Sequence, residues 1–215
     1  MNRLRVIEFE GLAPSVFCGL YFADVDAEVI FVARAESASF SMPFANNILN
    51  RNKQCIQVNF KDPHQLSQLK ELIKTSDIVI DPFRPGVLEK LKLGPKDLYE
   101  LNKRIILLRV SGYGQTGTNK LRPGHDLNYI GTSGILPLIN SEDCQFPSNY
   151  LADFVSASLG ITGVLGALTV RERSGEGGVV DCSLTDGCTY LAQNILNSSP
   201  TLQEEIIKTF KIGQK

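Results

Sequence analysis

The sequence has 215 residues, of which 43% are apolar and 21% are charged, a composition typical of a globular protein with an apolar core. Its net charge of -1 gives no general attraction for nucleic acid or for an anionic membrane. We therefore expect no nucleic-acid partner, and any phosphate group must bind to locally clustered Lys and Arg side chains.

Strand-like and helix-like segments alternate along the chain. Short runs rich in β-branched and other apolar residues predict strands at residues 4–9, 28–33, 55–60, 78–80, 105–110 and 179–184. Apolar spacing and composition predict helices at residues 16–22, 62–73, 97–101, 154–170, 185–196 and 200–215. Asp62 and Pro63 suit the N-cap and the first turn of the second helix. The alternation predicts an α/β fold with a doubly wound parallel sheet.

Two segments of unusual composition interrupt this alternation. Residues 111–124 (SGYGQTGTNKLRPG) form a polar, Gly-rich loop directly after a predicted strand. Ligands of α/β proteins commonly bind at such loops. Residues 154–170 (FVSASLGITGVLGALTV) are the most apolar stretch, but they are short for a membrane span and are followed by three charged residues. We expect a buried helix there and no membrane span.

The cysteines and the N-terminus indicate an intracellular protein. The five cysteines form an odd set without a CxxC pair, at positions Cys18, Cys55, Cys144, Cys182 and Cys188. Buried free thiols in a reducing compartment are the expected state. The first residues, MNRLRVIEFEG, do not have the pattern of a secretory leader. The two histidines, His64 and His125, lie far from any pair of cysteines in the sequence, so we expect no metal site.

Seven segments in a fixed order carry a resemblance to a known family. They are GLAPSVFCGLYFADVDAEVI (11–30), NRNKQCIQVNFKDP (50–63), DPFRPGVLEKLKLGP (81–95), RVSGYGQTG (109–117), PGHDLNYIGTSG (123–134), NYLADF (149–154) and GEGGVVDCSLTDG (175–187). Together they resemble the α-methylacyl-CoA racemases of the class III CoA-transferase (CaiB/BaiF-like) superfamily. The resemblance covers residues 1–196 and implies a Rossmann-like, CoA-binding large domain there. Residues 197–215 would then be a C-terminal tail or the start of a shortened small domain.

The resemblance implies a reaction and its residues. Such enzymes interconvert the R and S forms of 2-methylacyl-CoA thioesters by a 1,1-proton transfer, without a metal or redox cofactor. The motifs place His125 and Asp153 as the acid/base pair, serving the S and R sides, and the backbone N–H of Asp126 as the oxyanion donor. The α-proton of a thioester is weakly acidic, so a base, a conjugate acid and donors for the enolate oxygen are all needed. An imidazole can fill either proton-transfer role near neutral pH.

Each residue has a structural alternative. His125 could be a capping or core histidine of the Gly-rich loop, and Asp153 could be only the N-cap of the helix that follows it. Arg34, Arg51, Lys53 and Arg84 match the CoA-binding segments of the family, yet each could be a solvated surface charge. Asp26 stands where the family usually has Gly, so its backbone must be permissive or its turn altered.

The resemblance also sets expectations about assembly and location. Family members are interlocked homodimers that continue into a small domain, whereas residues 200–211 (PTLQEEIIKTFK) resemble a later family segment that follows a stretch not found here. In the family, that stretch carries a glutamate that partners the catalytic histidine. Members work in peroxisomes and mitochondria, and the sequence does not choose between the two.

Two other functions are compatible with the sequence. A class III CoA-transferase would use Asp153 as a nucleophile that forms an acyl anhydride, although such transferases usually carry an apolar residue in place of His125. A truncated, inactive domain that binds CoA or another subunit is the second alternative, since a chain without the small domain would leave apolar surface exposed.

Overall fold

The computed structural model describes residues 3–35, 47–139, 149–198 and 200–201. Six strands form one sheet, with bounds β1 (Arg5–Phe9), β2 (Glu28–Arg34), β3 (Gln54–Val58), β4 (Ile78–Asp81), β5 (Ile106–Ser111) and β6 (Gly178–Ser183). Their order is β3-β2-β1-β4-β5-β6, and every adjacent pair is parallel. The predicted doubly wound parallel sheet is confirmed, in the strand order of Rossmann folds.

The helices lie between the strands. Their bounds are α1 (Ala13–Asp24), α2 (Pro63–Lys74), α3 (Val87–Lys90), α4 (Pro95–Leu101), α5 (Asp126–Thr132), α6 (Leu136–Ile139), α7 (Leu151–Ser174) and α8 (Leu184–Leu196). The predicted helices at 16–22, 62–73, 97–101, 154–170 and 185–196 are confirmed with shifted ends. Helices α3, α5 and α6 were not predicted. The tail helix predicted at 200–215 lies almost entirely outside the described residues.

Two apolar cores cover the two faces of the sheet. Neighbouring strand residues alternate between them, so that Val6 packs with α1, α5, α7 and α8 while Ile7 packs with α2, α3 and α4. The central strands are therefore buried on both sides, as their near-continuous apolar sequences predict.

The long helix α7 packs on the sheet through one face only. It contacts β5 and β6 as well as α1, α5 and α8, and its buried residues include Ala157, Ile161 and Val164. Leu165 and Val170 are exposed on its other side. By length and composition alone α7 could cross a membrane, and 33% of its most apolar 18-residue stretch is buried inside the protein. The expectation of a buried helix thus holds for only one face of α7.

Local details bear out several sequence predictions. The side chain of Asp62 accepts the backbone N–H of His64 at 2.9 Å and caps α2, with Pro63 in the first turn. Asp26 has φ 67°, the left-handed conformation that Gly would adopt most easily and that Asp tolerates. Cys18, Cys182 and Cys188 are buried free thiols, but Cys55 is exposed, contrary to the general expectation; Cys144 lies outside the described residues.

Candidate active site

The sheet order reverses between β1 and β4, and the loops that follow these strands leave in opposite directions. Ligands of open α/β sheets bind in the crevice at such a switch point, outside the carboxyl ends of the strands. A cavity of about 590 Å³ lies there, with Leu12 and Pro14 from the segment after β1 and Leu184 from the segment after β6 in its wall. His125, Asp126 and Asp153 line the same cavity.

His125 occupies the N-cap position of α5 and is exposed. Its backbone N–H donates to Asn128 Oδ1 at 2.9 Å, and its carbonyl accepts the Asn128 N–H at 2.8 Å. These two bonds fix the backbone, while the imidazole makes no capping hydrogen bond. The capping alternative is therefore wrong for the side chain, although the residue stands at a cap position.

Tyr129 holds the segment that carries His125. Its hydroxyl donates to the carbonyl of Gly124 at 2.6 Å, and its ring packs edge-on against Tyr113. A Cβ at Gly112 or Gly124 would overlap the Tyr129 ring, so both glycines permit this close packing. The loop that leads into His125 is thus fixed from two sides.

Asp153 is the third residue of α7 and is partly buried. Burial and, to a smaller extent, the nearby carboxylate of Asp126 raise its pKa, His125 opposes the rise, and the net pKa is about 6. The alternative that Asp153 is the N-cap is wrong, because Tyr150 occupies that position. The side chain of Asp153 instead faces the cavity that contains His125.

Asp126 joins the two segments. Its carboxylate accepts the backbone N–H of Asp153 at 2.9 Å and that of Leu151 at 3.2 Å. As the first residue of α5, Asp126 has an N–H of the kind that a helix leaves without an intrahelical acceptor. That N–H is compatible with the predicted oxyanion role, which stays a prediction.

A second, more basic cavity adjoins the first. It has a volume of about 230 Å³, shares His125 and Tyr129 with its neighbour, and is also lined by Arg84, Lys120 and Arg122. Arg84 was predicted from the sequence, whereas Lys120 and Arg122 were missed. Both lie in the polar loop just before His125, and the charges of that loop were the available signal.

The other predicted CoA-binding residues do not line these cavities. Lys53 is a correction: its side chain is fully buried and lies 2.7 Å from Glu8, so its ammonium cannot contact a bound phosphate. Arg51 pairs with Asp24 at the C-terminal end of α1. That helix spans about 18 Å, and its other end lies at the cavity. Arg34 ends β2 and lies 3.7 Å from Glu10, with 55% of its side chain exposed.

Within the parts of the chain that the structure describes, no group of three or more His, Cys, Asp or Glu side chains could hold a metal ion. The expectation of a reaction without metal or redox cofactor stays a prediction.

Fold and cavity together define a doubly wound α/β domain with a ligand cleft at its switch point, and comparison with known proteins assigns the family. The sequence profile of CoA-transferase family III matches residues 1–210. The chain is 39% identical to alpha-methylacyl-CoA racemase of Mus musculus over 203 residues, covering 93% of this chain and 52% of the mouse protein. It is 38% identical over 197 residues to a CaiB/baiF CoA-transferase family protein of Caenorhabditis elegans, covering 89% and 56%.

A solved structure agrees in fold. The crystal structure of Rv3272 from Mycobacterium tuberculosis superposes with a TM-score of 0.82 at 31% identity, covering 91% of this chain and 56% of that one. The chain belongs to CoA-transferase family III. It spans about half the length of the curated relatives that it matches.

Proposed function

We propose that the chain interconverts the R and S forms of 2-methylacyl-CoA thioesters by a 1,1-proton transfer. The observation that carries this proposal is that an imidazole and a carboxylate line one cavity at the switch point, with the carboxylate of Asp126 joining their two segments. Similarity to a racemase over most of the chain supports the same reaction.

The proposed chemistry is a two-base exchange at the α-carbon. Asp153 removes the α-proton of the R form, the electron pair moves into the thioester carbonyl to give an enolate, and His125 returns a proton to the opposite face. The S form reacts in the reverse direction. Burial favours this assignment, because a carboxylate with a pKa of about 6 is a stronger base than an ordinary aspartate.

The enolate oxygen needs a hydrogen-bond donor that is already in position. The backbone N–H of Asp126, adjacent to His125 and on the cavity wall, is our assignment for that donor. Removing one such donor from an oxyanion site typically lowers kcat by about 10²–10³-fold.

The CoA moiety would lie toward the basic cavity. Arg84, Lys120 and Arg122 provide three cations beside the site, and guanidinium groups bind phosphate oxygens in a two-point geometry. We include a homodimer in the proposal, since the matched racemase of Mus musculus is about twice this length and a second subunit could complete the cleft.

Racemisation and CoA transfer can be separated in one preparation. The full chain is incubated with a single enantiomer of a 2-methylacyl-CoA in D₂O, and epimer ratio and α-deuterium content are measured together. A parallel sample contains a free carboxylate and hydroxylamine, which traps an acyl anhydride formed when Asp153 attacks the thioester carbonyl and CoA leaves as the thiolate. Hydroxamate is counted only above an enzyme-free blank, because hydroxylamine also attacks the thioester directly.

The proposal expects epimerisation with α-deuterium incorporation and no hydroxamate. His125→Ala should reduce epimerisation by about 10²–10⁴-fold, while His64→Ala, which changes the other histidine on the exposed side of α2, should not. Hydroxamate formation without α-deuterium would favour the transferase. CoA binding with neither product would favour the inactive domain.

A further inference from the structure

Helix α7 begins without a cap of its own. Tyr150 stands at its N-cap position and makes no side-chain capping bond. The first N–H groups of a helix have no intrahelical acceptor, so they need partners from elsewhere. Two of them, at Leu151 and Asp153, are satisfied by Asp126, which lies 25 and 27 residues earlier in the chain.

The capping carboxylate belongs to the residue that follows His125. The two oxygens of Asp126 accept different N–H groups, Oδ1 that of Asp153 at 2.9 Å and Oδ2 that of Leu151 at 3.2 Å. A carboxylate held by two bonds has little freedom to rotate. The backbone of one predicted base is therefore joined to the backbone of the other through a single side chain.

We propose that the carboxylate of Asp126 is a positioning residue that sets the separation of His125 and Asp153 across the cavity. This role rests on the proposed function, and it is distinct from the oxyanion role of the Asp126 N–H, which every substitution except proline retains. Proton transfer between carbon and side chain requires near-contact distances, and a misplacement of about 1 Å can cost about 10²-fold in rate.

The same carboxylate also acts through its charge. Burial is the main cause of the raised pKa of Asp153, the charge of Asp126 adds to it, and His125 opposes both. Tyr129 from α5 and Cys188 from α8 also face Asp153 closely enough to interact with it electrostatically. Asp126→Asn separates the two effects, because an amide oxygen still accepts one N–H while the negative charge is lost.

The test measures α-deuterium exchange of each enantiomer separately in the full chain. In Asp126→Ala we expect exchange from the R form, which depends on Asp153, to fall roughly 10- to 100-fold more than exchange from the S form. The KM should change by no more than about threefold. Asp126→Asn should recover part of the rate and move the acidic limb of the R-form profile to lower pH.

Asp62→Ala is the matched control, since it removes a carboxylate cap from α2 on the other side of the sheet. It should lower the denaturation midpoint without changing the ratio of R to S exchange. If Asp126→Ala lowers the exchange rates of both enantiomers equally, so that the ratio of R to S exchange is unchanged, the positioning role is overturned.

A second readout does not depend on activity. Amide hydrogen exchange of Leu151 and Asp153 should lose protection in Asp126→Ala and keep it in Asp62→Ala. A wild-type chain that exchanges neither enantiomer overturns the proposed function. Even in that case, loss of protection at Leu151 and Asp153 in Asp126→Ala supports the link that Asp126 makes to α7. Unchanged protection of these amides overturns it.

Discussion

Lys53 and Glu8 form an ion pair inside the protein, with Nζ 2.7 Å from Oε2 and both side chains fully buried. The ammonium also donates to the carbonyl of Val16 in α1 at 2.8 Å. Burial raises the pKa of Glu8 to about 7 and lowers that of Lys53, while each charge opposes the effect on the other. This pair joins β1 and the start of β3 to the helix that leads away from the cleft.

Removing one partner of this pair should be costly. Lys53→Met leaves the Glu8 carboxyl buried without its cation, and we expect the free energy of unfolding to fall by about 3–5 kcal/mol. Arg51→Met is the control, because its partner Asp24 is a surface residue, and should cost less than about 1 kcal/mol. Urea denaturation measures both, and equal losses would argue against the buried pair.

The acidity of Asp153 predicts how activity depends on pH. Asp153 must be ionised to remove a proton. Because its pKa is about 6, it becomes protonated, and therefore inactive as a base, at a higher pH than an ordinary aspartate. Exchange from the R enantiomer should therefore fall about tenfold per pH unit below about pH 6. Initial exchange rates of the R enantiomer between pH 4.5 and 8 measure this fall. A rate that stays constant down to pH 5 would contradict the assignment of Asp153 as the base.

Two glycines on the site helices should respond in opposite ways. A Cβ at Gly187 in α8 would overlap the Ser156 hydroxyl on α7, so Gly187→Ala should cost about 1–3 kcal/mol of unfolding free energy. Gly166 in α7 has open space around it, so Gly166→Ala should stabilise by about 0.5–1 kcal/mol through helix propensity. Thermal unfolding measures the stability of both variants. A Gly187→Ala variant as stable as the wild type would show that α7 and α8 pack less tightly at this contact than the structure indicates.

The basic cavity predicts the location of CoA phosphates. Arg84→Ala and Lys120→Ala should each raise the Kd for CoA roughly three- to tenfold, with a smaller effect at high salt because the contacts are ionic. Lys96→Ala, on the exposed side of α4 with 90% of the side chain accessible, should leave the Kd unchanged. Calorimetric titration at two salt concentrations distinguishes these outcomes, and unchanged affinity in both variants would place the phosphates elsewhere.

Local sequence signals were sufficient for the sheet. The apolar runs at β1, β2, β4 and β5 are buried on both faces, so their composition alone marks them, and Asp62 caps α2 because a cap acts within a few residues. The short helices α3, α5 and α6 were missed, because segments of four to seven residues are too short to show an apolar periodicity. A three-residue 3-10 helix (Ile48–Asn50) was also missed.

The site could be predicted only in part, because it depends on contacts between residues that are far apart in the sequence. Lys53 looks like a phosphate-binding lysine in the sequence, and only the fold brings it to Glu8, 45 residues away. The cap that Asp126 provides to α7 was invisible for the same reason. His125 and Asp153 were predicted from family motifs, and no spacing rule within the chain would have placed them in one cavity.

The most direct test of the two-base account uses His125→Ala and Asp153→Asn with each enantiomer of a 2-methylacyl-CoA in D₂O. If the two residues serve opposite faces, His125→Ala should exchange only the R form and Asp153→Asn only the S form. Each product should keep its configuration, because the second base is missing. Racemisation at the wild-type rate by either variant, or loss of the same enantiomer in both, would contradict the account.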